Sequence, residues 1–99
     1  MTLKQIFTQL KIPFAYSHFM QPVEPPFAVY LGNGQTTFGG DDTWIYTKNR
    51  YQVEYYFKEK DETKEATIEK AFLDNGYNYT KSEDVFIENE NIFVIYYEI

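Results

Sequence analysis

Residues 51–58 decide the fold that the sequence predicts, and they read Tyr51-Gln52-Val53-Glu54-Tyr55-Tyr56-Phe57-Lys58. The odd-numbered positions are apolar or aromatic, which is the two-residue period of a β-strand with one buried face. No glycine or proline interrupts the chain from Trp44 to Lys58. A single strand of that length would span about 46 Å at roughly 3.3 Å per residue, which exceeds a compact domain of this size. We therefore expect a projecting β-hairpin arm built from residues near 30 to 50.

Upstream of this strand, the N-terminus predicts a short amphipathic helix. Thr2 with Gln5 three residues later is a capping-box signature, and apolar residues follow at helical spacing: Leu3, Ile6, Phe7 and Leu10. Pro13 biases the preceding residue away from helical geometry. The helix is therefore expected from Thr2 to about Lys11.

Between this helix and the long strand we expect two strands and one long loop. The first strand covers residues 14–19, and Pro22-Val23-Glu24-Pro25-Pro26 forms a stiff connector to the second strand, residues 27–31. Gly32-Asn33-Gly34 then opens a segment of small and polar residues that reaches Thr43. Such composition favours turns, so residues 32–43 are predicted as a loop.

Downstream of the long strand, the pattern changes from a strand to a helix and back. Acidic residues at 61 and 62 precede a narrow apolar stripe, and Gly76 is typical of a helix C-terminus, which predicts a helix from Glu62 to Asn75. Charged residues, Glu65 among them, occupy its other faces, which suits a helix that packs one side on a sheet and leaves the rest in solvent. Extended segments follow at 77–81 and 85–87, and a turn at 88–91 leads to a closing strand at 92–97. The prediction is an α+β domain of order αβββαββ, with a mixed, largely antiparallel sheet and two helices on one face.

Length, cysteine content and net charge exclude several kinds of protein. Ninety-nine residues support one domain, residues 1–99, and the chain has no cysteine for a disulfide or a thiolate metal site. The net charge of −6 disfavours sequence-specific nucleic-acid binding, and it divides into +1 for residues 1–40 and −7 for residues 41–99. The acidic half would favour a basic partner. With no visible targeting segment or membrane span, we expect a cytosolic, soluble protein without a membrane partner.

No residue pattern indicates catalysis, a metal site or a cofactor. The sole histidine, His18, has no second imidazole, and the two serines, Ser17 and Ser82, lie outside any nucleophile-elbow motif. Asp41-Asp42 is more typical of a solvated loop than of an acid–base pair, and the acidic run at 88–91 is ordinary turn chemistry. Asn78-Tyr79-Thr80 matches a glycosylation acceptor only by pattern. We expect no enzyme activity.

Tyrosine is the residue type that points to an interface. Tyr46, Tyr56 and Tyr96 fall outside the clearest core stripes, and tyrosine suits half-wet contacts because its ring buries area while its hydroxyl keeps a partner. Aromatic and basic residues also alternate on one strand at positions 44, 46, 48 and 50, the residues Trp44, Tyr46, Lys48 and Arg50. That arrangement could stack nucleobases, but the net charge opposes it.

Four segments resemble small proteins from the tail modules of long-tailed phages and prophages of Gram-positive bacteria. They are, in order, residues 12–19, 25–31, 38–42 and 53–61, which read IPFAYSHF, PPFAVYL, FGGDD and VEYYFKEKD. The size and the αβββαββ order are similar to tail terminator (tail completion) proteins. The resemblance implies a structural subunit of the virion tail, typically in a hexameric ring, that ends the tail tube, contacts the major tail protein and joins the head connector protein.

The arm would then reach a neighbouring subunit or the tail tube. The expected subunit and tail interface consists of Asn33, Gly34, Thr36, Thr37, Phe38, Gly39, Gly40, Asp41, Asp42, Trp44, Tyr46, Tyr56 and Tyr96. Alternatives are a small acidic phage protein that binds and inhibits a host protein, a head-to-tail connector protein and, with the least support, an enzyme.

Overall fold

The computed structural model describes residues 1–40 and 45–99, and it contains two helices and a six-stranded mixed sheet. The helices are α1 (Leu3–Leu10) and α2 (Glu62–Asp74), and the strands are β1 (Phe14–Tyr16), β2 (Phe27–Phe38), β3 (Tyr46–Phe57), β4 (Thr80–Lys81), β5 (Val85–Ile87) and β6 (Ile92–Glu98). The sheet order is β1-β2-β3-β6-β4, and β5 also pairs with β6. The predicted α+β class is confirmed, with the very short β4 as an additional strand.

Both helices begin at the caps that their sequences supply. The Thr2 hydroxyl accepts a hydrogen bond from the Gln5 amide at 3.2 Å, and the Gln5 side chain accepts one from the Thr2 amide at 2.8 Å, so the predicted capping box is confirmed. Asp61 is the N-cap of α2 and accepts from the Lys64 amide at 3.1 Å. Gly76, which follows α2, has a φ of 80°, a left-handed conformation that favours glycine.

The core lies between the two helices and one face of the sheet, which we call the helix face. From the helices it takes Leu3, Ile6, Phe7, Ile68 and Phe72, and from the central strands Ala28, Tyr30, Val53, Tyr55, Phe57, Ile95 and Tyr97. Val53, Tyr55 and Phe57 are the residues whose alternation predicted a buried face, and they are buried. The closing strand β6 lies inside the sheet, because β3 pairs with one of its edges and β4 and β5 pair with the other.

Glu65 corrects one expectation, because it was assigned to the solvated surface of α2 and is only 2% exposed. Its carboxylate lies 2.8 Å from the Nζ of Lys60 and 2.9 Å from that of Lys81. Lys81 also pairs with Glu69 at 2.7 Å, and Glu69 accepts a hydrogen bond of 2.7 Å from the Tyr97 hydroxyl. This ion cluster joins α2 to β4 and β6, and pairing is what makes the burial of a carboxylate tolerable.

The ion cluster shifts the pKa values of its members. Desolvation alone would lower the pKa of Lys81, but hydrogen bonds to Glu69 and Glu65 outweigh it and raise that pKa. The hydrogen bond to Glu65 likewise raises the pKa of Lys60. Burial, together with the hydrogen bond to Glu69, raises the pKa of the Tyr97 hydroxyl. The cluster therefore keeps both lysines charged and Tyr97 neutral at physiological pH.

The first two strands differ in length from their predictions. β1 ends at Tyr16 because Ser17 turns to a φ of 70°, and the Ser17 amide donates to the Tyr30 carbonyl at 2.9 Å. β2 does not end at Leu31 but continues through the predicted loop to Phe38. The loop prediction for residues 32–38 is therefore wrong. Residues 41–43, the end of that predicted loop, lie outside the described residues.

A β-bulge is the reason that β2 continues. Gly32 pairs with Tyr51 and Gln35 pairs with Asn49, so two residues of β2 stand opposite one residue of β3. Gly34 takes a φ of 80° in this bulge, which a residue with a side chain rarely adopts. Beyond the bulge the pairing resumes as far as Phe38 and Tyr46. The glycines thus mark an irregularity within a strand and not its end.

Replacing Gly34 with alanine should destabilise the pairing beyond the bulge by about 1 kcal/mol, because the left-handed backbone strains an L-residue even where space is open. Among the described residues, no heavy atom beyond the two chain neighbours of Gly34 would lie within 4 Å of an added Cβ, so steric contact adds nothing to this cost. Hydrogen exchange of the Gln35 and Asn49 region should accelerate by about fivefold. Asn33→Ala is the matched control. Equal exchange rates in both variants would contradict the role assigned to Gly34.

Candidate functional site

The hairpin of β2 and β3 extends beyond the rest of the sheet, and this extension is the first candidate functional surface. β1 pairs with β2 only as far as Tyr30, and β6 pairs with β3 only from Gln52, with one further backbone pair between Tyr51 and Ile99. We call residues 32–40 and 45–50 the arm. The molecule measures 53 × 25 × 24 Å, in agreement with a projecting arm.

Within the described residues, the two strands of the arm pair only with each other. Along residues 32–38 and 47–50, the outer edges of this ribbon therefore offer backbone donors and acceptors to solvent or to another chain. A two-stranded ribbon is only marginally stable alone in water. At its base the Gly32 amide donates to the Tyr16 hydroxyl at 3.1 Å, a side-chain contact that ties the arm to β1.

Exposed apolar side chains concentrate toward the far end of the arm. Phe38 is 39% exposed, Ile45 66% and Tyr46 48%, and the rings of Phe38 and Tyr46 stack with centroids 5.0 Å apart. Three neighbouring large apolar residues at an exposed position are typical of a contact surface. The arm also carries two cations in its described part, Lys48 and Arg50, both half-buried.

The predicted interface residues divide into three groups. The arm brings together Asn33, Gly34, Thr36, Thr37, Phe38, Gly39, Gly40 and Tyr46, of which only Thr36 is half-buried and the others are exposed. Asp41, Asp42 and Trp44 lie outside the described residues. Tyr56 and Tyr96 lie on the opposite face of the sheet from the helices, near the base of the hairpin, so the structure separates them from the arm.

A groove on that opposite face is the second feature with functional character, and its volume is about 620 Å³. Residues 17–25, which connect β1 to β2, form one wall, and the other wall and the floor come from the sheet and the turn before β6: Phe27, Val29, Glu54, Tyr56, Lys58, Glu90 and Ile92. The predicted proline-rich connector thus forms part of a concave surface. No helix covers this face of the sheet among the described residues.

Aromatic rings and one carboxylate define the chemistry of the groove. The rings of Phe27 and Tyr56 stack with centroids 5.0 Å apart, and Phe19 meets Phe27 edge-on at 5.3 Å. Glu54 accepts a hydrogen bond of 2.6 Å from the Tyr56 hydroxyl and one of 3.1 Å from the Gln52 amide group. Burial raises the pKa of Tyr56, and the hydrogen bond to Glu54 raises it further, so this hydroxyl stays a donor.

Among the described residues, the groove has more acids than bases in its lining. Glu24, Glu54 and Glu90 line it, against Lys58 and the exposed His18. Glu54 forms no ion pair with any residue in the ranges 1–40 and 45–99. A half-buried carboxylate held in place by neutral donors and flanked by aromatic rings is suited to a cationic side chain. Tyr56 of this groove was among the predicted interface residues, but Glu54 was not, although the alternation in residues 51–58 already placed Glu54 beside Tyr56.

Among the described residues considered for catalysis, only the neighbours Ser17 and His18 are in contact. The Nδ1 atom of His18 lies 3.2 Å from the Ser17 hydroxyl on the groove wall. The Ser82 hydroxyl accepts a hydrogen bond of 2.9 Å from the Tyr96 amide and donates one to the Glu83 carbonyl. These bonds to the backbone give Ser82 a structural role beside β6. In the part of the chain that the structure describes, no three histidine or acidic residues are grouped as a metal site would require. The Asp41-Asp42 pair lies outside that part.

The remaining predicted patterns also have places in the fold. The run at residues 88–91 is the turn between β5 and β6, as predicted. Of the four residues considered for base stacking, Trp44 lies outside the described residues, and the Lys48 ammonium lies 3.5 Å from the Gly76 carbonyl. None of the described helices is both long enough and apolar enough to cross a membrane.

Comparison of the chain with protein-family models gives no match. Comparison with curated proteins gives no match either.

Proposed function

We propose that this protein is a structural assembly subunit, and specifically a phage tail terminator or tail completion protein that forms a ring at the end of the tail tube. The observation that carries the proposal is the arm, a ribbon with an exposed apolar end whose segments 32–38 and 47–50 pair only with β-strand residues of the same ribbon among the described residues. Such a surface is costly for a protein that acts alone, because open edges invite pairing with other chains. A subunit whose arm is covered by a neighbour or by the tube avoids that cost.

The resemblance of four sequence segments to tail-module proteins supports the specific form of the proposal. In that role the partners are other copies of the chain, the major tail protein and the head connector protein, and the protein acts in the virion tail after assembly in the host cytoplasm. The subunit needs no catalytic residue and no cofactor. A small acidic inhibitor of a host protein is the second candidate, favoured by the −7 charge of residues 41–99.

The test is to shorten the arm. Replacing residues 37–47 with Asn-Gly closes the hairpin beyond the Thr36–Lys48 pair with a two-residue turn. We expect this variant to keep its helical circular dichroism, because the core residues are untouched. It should be a monomer at concentrations where the full chain assembles, as measured by size exclusion with light scattering, and it should not cap purified tail tubes.

The Gln9→Ala variant, which changes an exposed residue of α1 and keeps the full-length arm, is the control for these measurements. A full-length chain that stays monomeric and never binds tail tubes would contradict the proposal. Tight binding to a basic host protein, lost at high salt, would favour the inhibitor instead.

A further inference from the structure

We propose that the groove on the opposite face of the sheet binds an arginine side chain in a basic segment of another protein, with the guanidinium held by Glu54 and stacked on the rings beside it. The proposed function leaves this groove without a role, and none of the residues that line it belongs to the arm. The groove is therefore a second binding surface, whose occupant follows from its own chemistry.

Glu54 has acceptor capacity to spare. It lies in the middle of the sheet face, opposite Val29 on β2 and Tyr96 on β6, and it is half-buried. Each of its two oxygens accepts one hydrogen bond from a neutral donor, at 2.6 Å from the Tyr56 hydroxyl and at 3.1 Å from the Gln52 amide group. An ionised carboxylate accepts about four hydrogen bonds, so about two sites remain. The two parallel N–H groups of a guanidinium fit that remainder.

The aromatic lining favours arginine over lysine. Phe27 and Tyr56 stack with centroids 5.0 Å apart, and Phe19 meets Phe27 edge-on at 5.3 Å. All three side chains are half-buried, so part of each remains open to a ligand. A guanidinium is planar and weakly hydrated, and it can lie on such a ring while it donates to a carboxylate. An ammonium group is more strongly hydrated and lacks the fork of two donors.

The nearest cations of the same strand do not reach Glu54. Arg50 and Lys58 lie on the same face of β3, each four residues from Glu54, which is about 13 Å along a strand at 3.3 Å per residue. Gln52 stands between Arg50 and Glu54 and already donates to Glu54. Neither cation forms an ion pair with Glu54 in the structure of residues 1–40 and 45–99. The carboxylate is therefore left for a cation from outside.

Net charge indicates a different protein as the source of that cation. A second copy would bring a net charge of −6 and a single arginine, Arg50, toward an acidic groove. A basic segment would instead be attracted to it. Two further acids of the lining, Glu24 and Glu90, are exposed and could face cations that flank the arginine. This favours a segment of several residues over a free amino acid.

A pair of synthetic peptides tests this assignment. The first is acetyl-Lys-Val-Arg-Val-Lys-amide, and the second carries citrulline, the neutral isostere of arginine, at the central position. Titration of the isotope-labelled full chain, followed by the backbone amide signals in NMR spectra, measures both affinities. We expect the arginine peptide to bind about tenfold more tightly, as suits a charge-assisted pair at a half-buried site. The largest signal changes should fall at Val29, Glu54 and Tyr56.

Protein variants show whether Glu54 is the acceptor. Glu54→Gln keeps the shape of the side chain and should bind the two peptides equally, because the charge that distinguishes them is gone. Glu62→Gln removes an exposed acid of α2 and should retain the preference for arginine. Arg50→Gln should bind the arginine peptide as the unmodified chain does. The comparison of the two peptides on the unmodified chain does not depend on the folding of any variant.

Four results would overturn the assignment. They are no binding at millimolar peptide, equal binding of the two peptides to the unmodified chain, a preference for arginine that persists in Glu54→Gln, and a tenfold gain for Arg50→Gln, since that gain would mean that the chain's own arginine fills the site. Weaker self-association of Glu54→Gln would identify a second copy as the occupant and overturn the choice of another protein. None of these measurements uses tail tubes, so failure here leaves the proposed function standing, and failure to cap tubes leaves the groove assignment standing.

Discussion

Replacing Lys60 and Lys81 together with methionine is expected to lower the free energy of unfolding by about 3 to 5 kcal/mol. These are the two cations that contact Glu65, at 2.8 and 2.9 Å, and Glu65 is 2% exposed. Without them the carboxylate would stay buried with no opposite charge, or take up a proton at a cost in free energy. Urea unfolding followed by circular dichroism measures the loss.

The removal of one lysine alone should cost less than half of that amount. In either single variant, Glu65 still pairs with the remaining lysine. The lysine that is removed also leaves its second acid without a partner, which is Asp84 for Lys60 and Glu69 for Lys81. The cost in the double variant should therefore exceed the sum of the single costs, which is the mark of a shared partner.

Two further variants show whether the effect comes from the buried charge. Lys70→Met removes an exposed ion pair with Asp74, and it should change stability by no more than about 0.5 kcal/mol. Adding Glu65→Met to the double variant should recover most of the loss, because the isolated charge is gone and an apolar side chain fills its place. A double variant as stable as the unmodified protein would show that Glu65 is not held by these lysines.

The protein is also expected to lose stability steeply between pH 10 and pH 12, because its buried tyrosines resist ionisation. Burial, followed by the nearby Glu65, raises the pKa of Tyr55 from the usual value of 10.0 to about 12. Burial and the hydrogen bond to Glu69 raise the pKa of Tyr97. In this interval the unfolded chain releases protons that the folded chain retains, so each tyrosine lowers the free energy of unfolding by about 1.4 kcal/mol per pH unit.

The ion cluster acts in the same direction. The pKa values of Lys60 and Lys81 are raised in the folded protein, so their contribution is complete below the usual lysine value of 10.5 and is lost as the pH rises through the folded values. Urea unfolding at intervals of half a pH unit measures the slope. Tyr97→Phe should make that slope shallower by about 1.4 kcal/mol per pH unit, although it lowers stability at pH 8. Unchanged stability up to pH 11.5 would contradict the assignment.

The sequence predicted correctly those parts of the fold that depend on residues close to one another in the chain. The capping box of Thr2 and Gln5 and the alternation of Val53, Tyr55 and Phe57 each lie within a few residues, so helix α1 and the buried face of β3 followed from them. The continuation of β2 to Phe38 did not, because Gly32-Asn33-Gly34 resembles a turn locally. Pairing with β3 overrides that preference, and only the structure shows the pairing.

Long-range partners account for the rest. Glu65 resembles a solvated helix residue because its cation Lys81 lies 16 positions away on another element. The groove was missed because its wall, residues 17–25, shows only as a connector in the sequence and gains its meaning from the sheet face beneath it. The arm, by contrast, was predicted from the length of an uninterrupted strand, and most of the predicted interface residues lie on it.

The three-residue strand β1 determines how far the arm extends beyond the rest of the sheet. It runs parallel to β2 and stops at Tyr16. Its length therefore determines how many residues of β2 are paired on both edges and how many are paired only with β3. Each pair of residues added to β1 would enclose about 7 Å more of β2. The length of the free arm therefore depends on where β1 ends, and a change near Ser17 that lengthens β1 would shorten the reach of the arm beyond the sheet.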